Sequence, residues 1–466
     1  MGINSNYLIS ENSINEFIRV LIPEAADKDI HVNFSDFESK IIIKIEIDGI
    51  EKEFNYENYL DKIDDQKVII LKTALLKFYE KKYPWGGLIG VRPTKVVKRL
   101  LNVNFSDYEI KKILKELYLV TDEKIELLVN IFKKELEIMN SEAYSVYIGI
   151  PFCPTKCRYC SFASFEVNSP VWERYYKGFV ETLLEEIELT GQLIKDKGMK
   201  IESIYIGGGT PSTLLEGDLE KILIAVNKNI DMSNLKEFTF EAGREDSITD
   251  KKLHLAKEYG VDRISLNPQT FNTETLKKIN RNFNKKNFDR CYKIIKEIGF
   301  IINMDLILGL PDEDETDIIK TLEVLKDYDI ENLTIHSLAL KKSSPLYKDK
   351  DLKVSDISRE KVESKVKELV ALKGMNPYYI YRQKNSADWG ENVGYAKDGF
   401  ESIFNVEMIE ENQSTLGLGG GAITKKITKI DGERDEIIRI VNPKEPATYI
   451  NEMKKRFEDK VRLFNR

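Results

Sequence analysis

From about residue 144 the apolar positions fall into a repeating pattern. Short β-branched runs at 146–152, 203–209, 237–243, 263–269, 303–309 and 332–338 alternate with longer amphipathic stretches at 172–195, 219–229, 250–259, 288–298 and 314–328. In the first long stretch Tyr176, Phe179, Val180, Leu183, Leu184 and Ile187 recur at spacings of three and four, which is the period of a helix with one buried face. Strands that alternate with helices in this way predict an α/β fold, a parallel sheet covered by helices. The six units fall short of a closed eight-stranded barrel and predict a partial (β/α)6 barrel over residues 144–345.

Other patterns flank this region. Residues 1–143 predict an α+β accessory domain. Its β-rich run at 40–47 leads through Asp48-Gly49 into a second strand, a hairpin signal. A helix is expected at 67–82, then a rigid loop over PWGGLIGVRPTK at 84–95. Ser106 and Glu109 have capping-box spacing before Ile110, Ile113, Leu114 and Leu117. A further helix at 122–139 leads into the barrel. Residues 346–466 predict a second α+β domain that covers the barrel mouth. It holds a charged helix at 359–373, NPYYIYRQKN, and a glycine-rich run at 416–425. Gly417, Gly419, Gly420 and Gly421 are dense for a helix or an ordinary strand, so a loop over the mouth is expected there.

The chain has 466 residues and a net charge of −7, with 42% hydrophobic and 32% charged residues. That balance supports a sizeable core and argues against general nucleic-acid binding. The late helices of residues 1–143 carry mixed charges and read as solvated faces. No apolar run is long enough to span a bilayer, and the first residues are polar, so a cytoplasmic protein is expected.

Three of the four cysteines sit in VYIGIPFCPTKCRYCSF, as Cys153, Cys157 and Cys160. A zinc site would want a fourth local Cys or His, and His31, His254 and His336 are all remote. A disulfide would leave an odd thiol. Three thiolates on one loop suit three irons of a [4Fe–4S] cube, with the fourth iron left for a cofactor. That is the arrangement of a radical S-adenosylmethionine (SAM) site. Cys291 stands alone in a helical stretch and reads as a small buried hydrophobe.

Polar residues punctuate the ends of the predicted strands, where α/β barrels carry their chemistry. GGGTP at 207–211 ends the second strand, and its backbone would receive the amino group of SAM. Glu241 ends the third strand, as an acceptor or as a cap. Gln269 and Arg281 lie either side of a short helix opened by Asn272, and Arg281 suits the SAM carboxylate. Asp305, inside the apolar run NMDLILGLP, must be paired. It would accept from a ribose hydroxyl or brace the barrel through Arg263. His336 either faces the barrel interior or packs in the core.

Taken together, YIGIPFCPTKCRYC, YIGGGTPS, FEAG, RISLNPQTFN, NMDLILGLP and GLGGGAI resemble the anaerobic coproporphyrinogen III dehydrogenase-like family of radical SAM proteins, over roughly residues 145–425. PWGGLIGVRPTK and YRQKN resemble the branch called HemZ-type. The resemblance implies that Cys153, Cys157 and Cys160 bind the cluster. It implies that Tyr147, Gly208, Gly209, Thr210, Glu241, Gln269, Arg281 and Asp305 bind SAM, with Tyr147 close to the reaction. The family reaction converts two propionates of coproporphyrinogen III to vinyls, by hydrogen abstraction and loss of carbon dioxide and one electron. The substrate would be a tetrapyrrole and the electron donor a flavodoxin or ferredoxin type of protein. A substrate with four propionates needs fixed cations, and Arg158, Arg382 and Lys384 are the candidates.

Gly149 stands where the best-known branch has a histidine, and Phe162 where that branch has a fourth cysteine. The heme-chaperone branch carries H-N-x-x-Y-W, whereas ENVGYA at 391–396 lacks both the histidine and the tryptophan. Two further readings compete with the dehydrogenase: a radical methyltransferase that opens heme anaerobically, and a heme-binding delivery protein without turnover.

Overall fold

The computed structural model describes residues 2–9, 11–162, 164–349, 359–383, 390–430 and 435–465. The six expected strands form as Tyr144–Ile150, Ile201–Gly208, Glu237–Gly243, Arg263–Leu266, Ile301–Leu308 and Asn332–Ser337. They are parallel and lie side by side in chain order. The connecting helices are Pro170–Lys197, Glu216–Asn229, Asp250–Glu258, Lys285–Ile298 and Glu315–Leu325. The helix Pro170–Lys197 starts where the Ser169 side chain accepts from the Trp172 N–H and stops at Gly198, with φ 60°. Its stripe of Tyr176, Phe179, Val180, Leu183 and Ile187 is buried in one core with Val146, Ile148 and Ile150. Each such side chain contributes about 1.5–3 kcal/mol when fully buried. The partial TIM-type barrel predicted from the alternation is what forms.

An open barrel leaves two sheet edges that must be covered. On one side Glu391–Lys397 pairs antiparallel with Asn332–Ser337, and Met375–Arg382 pairs outside it. On the other, Ser414–Gly419 pairs parallel with Tyr144–Ile150, and Ile423–Thr428 and Glu436–Val441 follow antiparallel. Among the described residues the sheet therefore has eleven strands. Residues 346–466, expected as a domain of their own, contribute to this sheet and fall in the same compact unit, Lys134–Arg466.

The glycine-rich run is not a loop over the mouth at its start. Leu416–Gly419 lies in a buried strand. Glycine is required there by contact: a Cβ on Gly417 would meet the Ile423 backbone at 2.5 Å, and Gly419 adopts φ +82. The strand is locked by the buried Glu186 carboxylate. It accepts from the Gly419 N–H at 2.7 Å, the Tyr449 hydroxyl at 2.6 Å, Asn442 Nδ2 at 2.9 Å and the Lys460 ammonium at 2.6 Å. With every lone pair engaged, the buried pair avoids the penalty of an uncompensated charge.

The other unit is Met1–Lys133, so the division falls ten residues before the expected 143, inside the helix Asp122–Ile138. Its sheet runs Gly2–Ser5, Asp29–Asp36, Lys40–Ile47, Ile50–Glu57. The hairpin forms as read, with Asp48 and Gly49 both at positive φ, 53° and 77°, as a type I′ turn needs. The capping box at Ser106 and Glu109 is present. The helix expected at 67–82 spans Gln66–Phe78. It ends early because Glu80 turns left-handed at φ 55° and the Lys81 N–H returns to the Leu76 carbonyl at 2.9 Å, a Schellman closure. Among the described residues no helix is long and apolar enough to cross a membrane.

Candidate active site

The cysteine loop leaves the first barrel strand at Pro151 and is pinned on three sides. The Gly209 and Thr210 N–H groups donate to the Ile150 and Phe152 carbonyls at 2.8 and 2.7 Å. The Arg158 N–H donates to the Ile279 carbonyl at 2.9 Å, and Asn280 Nδ2 to the Lys156 carbonyl at 3.0 Å. The Val167 N–H donates to the Cys153 carbonyl at 2.9 Å. The loop is thus fixed by the end of strand two, by the end of the short helix Thr273–Lys278 that follows strand four, and by its own return. All three cysteines are free thiols. Burial raises the Cys153 thiol and pushes Cys160 up to about 11, so loading metal onto them releases protons.

These thiols line one cavity of about 430 Å³ at the C-terminal ends of the strands. Period-two alternation aims the polar residues into it: Tyr147, Tyr205 and Glu241 from strands one to three, Asn303 and Asp305 from strand five, Thr334 and His336 from strand six. Tyr379, Tyr381 and Gln383 enter from the strand Met375–Arg382 and its end, and Phe404, Asn405 and Met408 from the helix Ile403–Glu410. Tyr147 stacks on Tyr205 and Phe404 at 6.1 and 5.9 Å. Strand four ends earlier than expected. Gln269 sits past it at φ 66°, held by its N–H on the Asp305 carbonyl at 3.0 Å. A glutamine in the left-handed region costs of order 1–3 kcal/mol, and such strain clusters at working sites.

Two carboxylates share the cavity and are driven apart. Enclosure raises Glu241 to about 8, with Asp305 adding to the rise while the Gly208 N–H and Tyr205 hydroxyl oppose it. Enclosure also pushes Asp305 upward, but His336 and Asn303 outweigh it and hold Asp305 below its ordinary value. His336 Nδ1 in turn meets the Tyr381 hydroxyl at 3.1 Å. Asp305 does not brace Arg263, which pairs with Glu237 at 3.7 Å and donates to Asn332 and the Glu401 carbonyl.

Gln269 Oε1, Asn267 Oδ1 and Arg281 Nε are enclosed and have no hydrogen-bond partner. A Cβ on Gly209 would meet the Phe152 carbonyl at 2.5 Å, so only glycine brings this backbone to the cavity wall. Thr210 donates its hydroxyl to Cys153 Sγ at 3.4 Å. Cys153, Cys157, Cys160, Tyr147, Gly208, Gly209, Thr210, Glu241, Gln269, Arg281 and Asp305 all line this same cavity.

The profile of the Radical SAM superfamily matches residues 147–325. The oxygen-independent coproporphyrinogen-III oxidase-like protein HemZ of Bacillus subtilis is 36% identical over 388 residues, covering 81% of this chain and 76% of that protein. The chain belongs to the radical SAM family of coproporphyrinogen-III oxidase-like proteins. Within that family, the heme chaperone HemW of Bacillus subtilis is 30% identical over 280 residues, 60% of this chain and 70% of the relative. The solved coproporphyrinogen III oxidase (HemN) from Escherichia coli shares the fold, with TM-score 0.52 at 19% identity over 70% of this chain and 72% of that one. Radical SAM proteins of this family carry a [4Fe–4S] cluster and SAM, and the donor set fits both. Three thiols would hold the cluster, and the unpartnered atoms of Gln269, Asn267 and Arg281 suit SAM. When bound there, the cluster and SAM would supply a carbon-centred radical by one-electron cleavage of the SAM sulfonium.

The substrate candidates fare differently. Arg158 turns away from the cavity into an ion pair with Asp349 and toward the Lys278 carbonyl at 3.4 Å. Arg382 is 4% exposed and lies on the opposite strand face from Tyr381 and Gln383. The period of the strand decides this: flanking positions enter the cavity, so Arg382 cannot. Burial lowers its guanidinium to about 10 despite the field of its cross-strand partner Glu391. Lys384 lies outside the described residues. Among the described residues, the basic side chains that line the cavity are Arg244, Arg281, Lys341 and His336. Arg244 was not singled out in the sequence, although it stands three residues after Glu241, just past a strand end. Arg382→Ala is therefore expected to lower stability by about 3 kcal/mol, as for breaking a buried charge interaction, and to leave SAM binding unchanged. Denaturant unfolding and SAM titration check it. A fully stable variant that fails only in substrate turnover would return Arg382 to the substrate.

Proposed function

We propose that the protein is an oxygen-independent enzyme that oxidatively decarboxylates two propionates of coproporphyrinogen III to give protoporphyrinogen IX. The observation that carries this reading is the lining of this cavity. The thiol loop and the SAM-type residues share it with the aromatic side chains Tyr379, Tyr381 and Phe404 and with Met408. Aromatic faces of this kind suit a flat, apolar macrocycle. Relatives named for coproporphyrinogen oxidation and for heme support the substrate class. Carboxylates of the substrate would meet Lys341 and His336, in place of Arg158 and Arg382. The electron comes from a low-potential flavodoxin or ferredoxin type of protein, and the reaction belongs to the cytoplasm.

The test is anaerobic incubation of the cluster-loaded protein with SAM, reductant and either coproporphyrinogen III or heme. Divinyl porphyrin after oxidation of the product is the expected result. A linear tetrapyrrole from heme would make it a ring-opening methyltransferase. Heme held unchanged, with no product from either compound, would make it a delivery protein.

A further inference from the structure

We propose that Arg244 sets the reduction potential of the cluster, as a charged positioning residue aimed at one ligand sulfur. This goes beyond the choice of substrate and holds whichever tetrapyrrole the cavity takes.

Arg244 follows the third barrel strand and is 3% exposed. Its Nε and Nη2 are fixed on Asp246 at 3.1 and 2.6 Å, a two-point clamp that a planar guanidinium makes well. This leaves Nη1 pointing at the cysteine loop. Nη1 donates to both the carbonyl and the hydroxyl of Thr155 at 3.0 Å and stands 3.9 Å from Cys157 Sγ. A second guanidinium reaches the same sulfur, with Arg281 Nη1 at 4.0 Å. The neighbouring ligand Cys153 receives neutral hydroxyls, from Thr210 at 3.4 Å and from Ser164. Both guanidinium groups therefore reach the Cys157 sulfur most directly, and the charge of Arg244 is also felt at Cys153.

Reduction adds one electron, and hence one negative charge, to the cluster. A buried cation beside a ligand sulfur stabilises that added charge, and donors to cluster sulfurs are a main control of potential. Asp246 works against this, because its carboxylate neutralises part of the guanidinium charge. A plain structural strut would also explain the two bonds to Thr155. The two roles separate by sign. If Arg244 acts through charge, removing it and removing its counter-charge must shift the potential in opposite directions. If it only props the loop, both changes loosen the same contact and shift it the same way or not at all.

The experiment is a redox titration, followed by electron paramagnetic resonance, of the reconstituted full chain without SAM or tetrapyrrole, using dithionite as the one-electron reductant. Arg244→Gln is expected to disfavour reduction about tenfold, roughly 59 mV more negative for one electron. Asp246→Asn is expected to shift the potential the other way, and Arg244→Lys to stay near the parent. Iron content is measured alongside. Should Arg244→Gln fail to hold the cluster, Asp246→Asn decides alone: a positive shift supports the proposal, and no shift or a negative one overturns it. Shifts of the same sign in both variants also overturn it. No tetrapyrrole enters the titration, so its outcome is independent of the proposed reaction.

Discussion

Reconstituted under anaerobic conditions, Cys157→Ala will hold no stable [4Fe–4S] cluster, while Cys291→Ala will carry about four irons per chain like the parent. The two cysteines are both buried, so burial does not separate them. Their surroundings do. Cys157 shares the cavity with Cys153 and Cys160 and has two guanidinium groups within 4.0 Å. Cys291 packs in the barrel core on the helix Lys285–Ile298, its sulfur 3.8 Å from the Glu245 carbonyl. Removing one of three ligands leaves two thiolates and an iron with no replacement donor, so the loss should be complete rather than graded. Removing the Cys291 sulfur leaves only a small void, worth about 1 kcal/mol of stability. Iron analysis and the visible absorption of the cluster measure both. Equal iron in the two variants would remove the cluster from this loop.

Much of this fold is legible in the sequence because two signals reinforce each other. The barrel strands are short β-branched runs whose helices have clear spacing, as in Tyr176 to Ile187. Their polar positions also fall at strand ends, which fixes the mouth of the barrel. The residues that escaped are those whose side chains are placed by register or by distant partners. Arg382 looks like an available cation beside Tyr381, yet one step along a strand reverses the face. The strand Ser414–Gly419 is invisible to propensity, because glycine disfavours strands unless a neighbouring backbone presses close. What makes it a strand is the parallel ladder with Tyr144–Ile150, and its end is held by the Glu186 carboxylate, more than two hundred residues away in sequence. Arg244 escaped because an arginine after a strand reads as a surface charge until its clamp to Asp246 is seen. Gln269 was found by its motif, but its left-handed backbone follows only from the bridge to Leu306.

Glu241→Gln should make the cluster-free protein more stable at pH 8.5 and at the same time weaken SAM binding. Glu241 titrates at about 8 in the fold against an ordinary 4.5, chiefly because the cavity wall excludes water, with Asp305 beside it adding to the rise. The sign follows from where each state holds the proton. Between pH 4.5 and about 8 the folded chain keeps it and the unfolded chain has lost it, so stability falls as pH rises through this window. Above about 8 both states are ionised and the penalty is complete, on the order of 3–5 kcal/mol. Glutamine never carries that charge, so the difference between variant and parent should be small near pH 5 and full by pH 8.5. Taking the difference matters, because Asp262 and Glu313 are raised to about 6 and about 7 and titrate in the same window in both proteins. Denaturant unfolding at several pH values reads it. SAM carries a sulfonium and an amino group, and a carboxylate acceptor that ionises on binding would repay the strain. Loss of that charge-assisted contact should weaken SAM by about 1.5–3 kcal/mol, roughly ten- to a hundredfold. A variant that gains stability at high pH and loses SAM affinity marks Glu241 as a carboxylate held under strain for its ligand. Unchanged SAM affinity would leave a strained carboxylate with no part in holding the cofactor.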